Sequence, residues 1–142
     1  MLQAQPESPQ QLHRLAIIYH NLGMVAQDRG RLEDAERRYR QSLTIEEELG
    51  NRPGMATSFG QLGLLSETRE RPEEAMEWTV RCVTLFDEFP HPMTGPGPAH
   101  LAWLTAELGI DTLERCWHRV TGHSLPPVIR NFTASGASQD EK

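Results

Sequence analysis

The chain has 142 residues, 37% hydrophobic and 24% charged, with a formal net charge of −6 at pH 7. That length suits one domain able to bury a core unaided, and two cysteines, Cys82 and Cys116, are too few for a disulfide framework. The negative charge offers no general attraction to nucleic acid or to an anionic membrane surface, no apolar run approaches the roughly 20 residues that span a bilayer, and no signal-peptide pattern opens the chain. A cytoplasmic protein is expected.

In chain order, residues 1–10, with Pro6 and Pro9, read as a flexible lead-in. The stretch "NLGMVAQDRGRLEDAERRYRQSL" (21–43) is then echoed by "QLGLLSETRERPEEAMEWTVRCV" (61–83) at an offset of 40 that holds through Leu22/Leu62, Gly23/Gly63, Glu33/Glu73, Ala35/Ala75 and Leu43/Val83. A fixed period in this range marks a stacked array. Within a unit, Leu32, Ala35, Tyr39, Ser42 and Leu43 recur at steps of three and four, which lays them along one helical stripe. Each unit therefore reads as two helices, broken at Gly30 in the first and before Pro72 in the second. Gly50 and Pro53 in "LGNRPG" mark the joint between units.

The expected helices are about 11–28 and 32–49 in a first repeat of about 11–50, then about 54–68 and 72–88 in a second of about 51–90. "HPMTGPGP", 91–98, is a linker in which no helix persists. Beyond it, "AHLAWLTAELG" and "IDTLERCWHRV" give helices of about 98–108 and 110–121, a degenerate capping pair within 97–124 with Gly109 at its turn. "LPPVIRNF" adds a short turn. The tail is 125–142, of which the stretch from about Thr133 is small and polar and is expected to be disordered.

These positions resemble the tetratricopeptide repeat, whose helix pairs carry a large aromatic, Leu-Gly, a small residue, then Ala, aromatic, Ala. The first unit supplies Tyr19, Leu22, Gly23, Ala26, Ala35, Tyr39 and Ser42, and the second Phe59, Leu62, Gly63, Ser66, Ala75, Thr79 and Cys82. Small residues fit where paired helices cross closely, and aromatic ones fill the space between pairs. Thr79 departs from the pattern, with Trp78 beside it as a substitute for the missing volume. The long period looks like that of arrays in bacterial regulatory proteins and at the C-terminal ends of signalling ATPases. The resemblance implies an all-α array of two full repeats plus the degenerate pair, and no catalysis.

It also implies a concave groove, lined by the first helix of each pair, for an extended or helical segment of another protein. The corresponding positions are Ile17, His20, Asn21, Met24, Gln27 and Asp28, then Thr57, Gly60, Gln61, Leu64, Glu67 and Thr68. Ile17, Met24 and Leu64 read equally as helix–helix core. The lysine–arginine–asparagine clamp with which some members of the family hold acidic chaperone tails is missing, so the groove suits an amphipathic or mildly basic segment. A second mode of association is a two-fold homodimer through the outer side of the first pair, which no preceding repeat covers.

Other chemistry finds little support. There is no phosphate-binding G-x-x-x-x-G-K-[ST], no G-x-S-x-G elbow and no H-E-x-x-H helix. Cys116, His118 and His123 match no zinc spacing, so no metal or cofactor is expected; a small enzyme or metal protein built on the third pair is the remote alternative, and a C-terminal sensor segment of a larger signalling ATPase the nearer one. Cys82 reads as core. Arg37, Arg38 and Arg40 each follow an acid by four residues, at Glu33, Asp34 and Glu36, which makes a solvated, locally neutral face rather than a nucleic-acid site. Glu46, Glu47 and Glu48 read as an acidic surface patch.

Overall fold

A computed structural model describes residues 8–140 of the protein, with side chains described as far as residue 135. Among the described residues seven α-helices follow one another: α1 (Pro9–Asp28), α2 (Leu32–Leu49), α3 (Arg52–Thr68), α4 (Pro72–Val83), α5 (Gly97–Leu108), α6 (Ile110–Thr121) and α7 (Pro127–Asp140), with a 3-10 turn at Pro92–Thr94. Among the described residues there is no strand, and no helix is long and apolar enough to cross a membrane.

The helix starts follow from local chemistry. Ser8 caps α1, its hydroxyl accepting from the Gln11 amide at 3.1 Å while its own amide donates to Gln11 Oε1 at 2.8 Å. This cap, with Pro9 in the first turn, begins the helix inside the segment expected to be lead-in; the rest of that segment, 1–7, lies outside the described residues. Gly50 closes α2 in the left-handed conformation, and the Asn51 side chain then accepts from the Gly54 amide to open α3. The three-residue joints 29–31 and 69–71 send the second helix of each pair back along the first. α1 packs chiefly on α2, α3 on α4, and α2 on α3, which is the stacking that the 40-residue offset requires.

Two apolar clusters result. One joins Tyr39, Leu43, Phe59, Leu62 and Leu65 across the repeats; the other joins Met76, Val80 and Val83 of α4 to Leu101, Leu104, Leu113 and Trp117. At the C-terminal end α5 lies against α4 and α7, while α6 lies against α4, so the capping helices face α4 more than each other.

Several sequence expectations change. Helix α4 ends at Val83, not near 88, because the Thr84 hydroxyl turns back onto the Val80 carbonyl at 2.8 Å and Phe86 leaves the helical path to stack on His91, centroids 4.0 Å apart. The tail expected to be disordered from about 133 is helix α7 as far as Asp140; Ile129 and Thr133, one turn apart, are buried, and Phe132 meets Phe89 edge to face. Residues 141–142 lie outside the described residues. Thr79, not Trp78, occupies the place opposite Gly63, while Trp78 packs on Phe59. Of the three expected acid–arginine pairs, Asp34–Arg38 (3.9 Å) and Glu36–Arg40 (3.4 Å) are present; Arg37 instead meets Asp34, three residues before it, and Glu33 reaches Arg69 at 3.8 Å.

Candidate functional site

The residues singled out as a groove lie along α1 and α3. Ile17, Met24 and Leu64 are all exposed, so none belongs to the core. Two concavities lie along this region, one bordered by Ile17 and the other by Leu64. The first, about 200 Å³, opens where α1, α2 and the start of α3 meet, and is lined by Ile17, His20, Glu46 and Thr57 among others. The second, about 120 Å³, lies between Thr57, Gln61 and Leu64 of α3 and the turn Met93–Pro96. Thr57 borders both, which links the two hollows along one face. Asn21, Met24, Gln27, Asp28, Glu67 and Thr68 line neither.

Some of these side chains are already engaged. His20 is half-buried with its ring 5.5 Å from that of Tyr39, and burial holds its pKa below the usual histidine value. The Tyr39 hydroxyl donates to Gln27 Oε1 at 2.8 Å, and burial, then the charge of Asp28, push the phenol up to about 12. The Thr57 and Thr68 hydroxyls donate to the carbonyls of Pro53 and Leu64 within their own helix. Glu67 is taken up by α5, its Oε2 2.5 Å from His100 Nε2, while His100 Nδ1 lies 3.3 Å from the Thr79 hydroxyl.

A different carboxylate lies in the site. Glu46, expected on an acidic surface patch, is buried at the floor of the first hollow, where Ser58 donates to its Oε1 at 2.5 Å. Its Oε2 lies so near Gly54 that a Cβ there would stand 2.6 Å from it. Burial raises the carboxyl pKa, Ser58 opposes that rise, and neighbouring Glu47 adds to it. The signal was present in the sequence: Glu46 continues the buried steps Tyr39, Ser42, Leu43 at the same spacing, while Glu47 and Glu48 are exposed. Met93, on the far wall of the second hollow, carried no such signal.

At the C-terminal end Cys116 is buried while His118 and His123 are exposed, and among the described residues no three His, Cys, Asp or Glu side chains converge where a metal ion could bind. Cys82 is buried between the Ala56 and Thr94 carbonyls, and desolvation pushes its thiol up to about 11, far from a reactive thiolate.

A family model described as tetratricopeptide repeat matches residues 14–88, more than half of the chain. A search of curated proteins returns no match to it.

Proposed function

The chain belongs to the tetratricopeptide repeat family, whose repeats serve protein–protein interaction, and on that premise we propose that the open face of α1 and α3 binds an amphipathic, mildly basic segment of another protein. The observation that carries this reading is that Ile17 and Leu64, both exposed, border two hollows that share Thr57, with Met24 exposed two turns along α1 from Ile17. Scattered exposed apolar residues need no explanation, but apolar side chains at the rims of adjoining hollows do. Met24 adds a flexible, polarizable surface that adapts to varied apolar partners.

Charge narrows the partner. Arginine and lysine are absent from the groove positions, which carry His20, Asn21 and Met24 on α1 and Gly60, Gln61 and Leu64 on α3, so an acidic tail would find few charge-assisted donors. The carboxylates nearby are Asp28, exposed at one edge, and Glu46 at the floor of the first hollow; Glu67 is spoken for by His100. Basic residues spaced along the apolar segment would meet them separately.

Fluorescence anisotropy against three helical peptides of one apolar pattern, basic, neutral and acidic, tests the reading. The basic peptide should bind most tightly, and Met24→Glu and Leu64→Glu should each weaken it by roughly tenfold or more with circular dichroism and Tm nearly unchanged. Unfolding of Met24→Glu, or preference for the acidic peptide, would sink the proposal.

A further inference from the structure

The repeat supplies its own template for a second docking surface. Offsetting by 40 residues maps Ile18, Leu22, Val25 and Arg29 of α1 onto Ser58, Leu62, Leu65 and Arg69 of α3. In α3 the first three are 0%, 1% and 1% exposed, buried where α3 lies on α2. In α1 their counterparts are 51%, 43% and 47% exposed. The arginines that end the two stripes have nearly the same backbone, φ −90° and ψ 5° at Arg29, φ −85° and ψ 10° at Arg69. Arg69 spends its guanidinium on two α2 carboxylates, Glu36 at 3.1 Å and Glu33 at 3.8 Å, whereas Arg29 has no ion pair among the described residues. At about 100° per residue the stripe lies roughly a third of a turn around α1 from Ile17 and Met24, so it is a different surface from the groove.

We propose that this stripe docks an amphipathic helix of another protein, running antiparallel to α1, with an apolar row over Leu22 and Val25 and two carboxylates three residues apart at Arg29. The template fixes each property. α2 meets α3 in that direction, its early Glu33 and Glu36 at the end of α3 and its late Glu46 at Ser58 near the start. Charge selects against a second copy of this chain: the only acid in all of α1 is Asp28, adjacent to its own Arg29, so a two-fold α1 pair brings no carboxylate pair one helical turn apart. The homodimer expected from the sequence thus competes for the same stripe on poorer terms.

The probe is a labelled peptide of residues 31–50, the α2 sequence itself, held helical by a lactam between positions 44 and 48, which face solvent in α2. Titrated into the intact protein, it should bind saturably. Leu22→Glu and Arg29→Glu, both at exposed positions, should each weaken binding by about tenfold or more, while Met24→Glu in the groove should leave it unchanged. A peptide carrying Glu33→Arg and Glu36→Arg should restore affinity for the Arg29→Glu protein. Absence of saturable binding overturns the proposal. So does binding indifferent to Leu22→Glu and Arg29→Glu, which means the peptide has displaced its own α2. A dimer in sedimentation that Leu22→Glu dissociates and the peptide does not would assign the stripe to a second copy and overturn it as well. Because Met24→Glu separates the two surfaces, failure here leaves the groove reading standing, and the converse holds.

Discussion

The Tyr39 ring packs directly on the bare Cα of Gly23: a Cβ at residue 23 would stand 2.6 Å from Tyr39 Cε1 and 2.7 Å from Cδ1. Tyr39 is fully buried and its hydroxyl is tied to Gln27, so the ring has nowhere to go. Gly23→Ala should therefore destabilise the fold by about 1–3 kcal/mol through overpacking, more than the ~1 kcal/mol that alanine contributes to a helix interior. At Gly60, also helical, a Cβ meets nothing within 4 Å, so Gly60→Ala should stabilise by up to about 1 kcal/mol. Urea denaturation of the two variants checks the opposite signs.

Leu22 and Leu62 occupy the same place in successive units but not the same environment. Leu62→Ala should lose about 2–5 kcal/mol, as buried leucines do, and Leu22→Ala less than about 1 kcal/mol. Equal losses in thermal melts would mean that α1 is covered in the free protein.

Glu46 makes stability depend on pH. Its folded-state pKa is raised above the unfolded value, so its contribution is fully present below the ordinary carboxyl pKa of about 4.5 and is lost as pH rises through the folded value. Glu46→Gln keeps an acceptor for Ser58 without the charge. It should raise Tm relative to wild type at pH 7, and the difference should shrink towards pH 4. His13 and His20 line the same hollow, and Glu47 is the adjacent acid, so the comparison belongs between the two proteins at each pH and not between pH values in one. A difference that grows on acidification would show that Ser58 outweighs burial.

Ile129 anchors α7 in the cluster with α4, α5 and α6, and its neighbour Val128 faces solvent. Ile129→Ala should cost about 2–5 kcal/mol and Val128→Ala less than about 1 kcal/mol. If Ile129→Ala melts like wild type, the final helix is not part of the cooperative unit.

Local pattern carried much of this architecture. The first four helices were legible because their signals lie within a few residues of one another: steps of three and four, a glycine or proline at each break, and a 40-residue echo; that Tyr39 meets Gly23 within the first pair came from the structure. The end of α4 and the existence of α7 were not. One depends on Phe86 finding His91, the other on Ile129 and Phe132 finding a core built largely by distant segments.

The candidate site divides in the same way. Sequence spacing placed Ile17, Met24 and Leu64 on the two first helices but left groove and core open, because an apolar letter at helical spacing states only that one face is apolar. Tertiary structure decided which face is covered. Glu67 is engaged because His100, 33 residues away, comes to meet it, and Glu46 lines the first hollow because α3 folds over one of three like-charged neighbours. Leu22 and Leu62 stand for the division as a whole. The same residue in the same register fixes the same turn of helix in both units, since helix formation is a local matter; whether that leucine is core or surface is set by what stacks on it, and α2 covers Leu62 while nothing among the described residues does the same for Leu22.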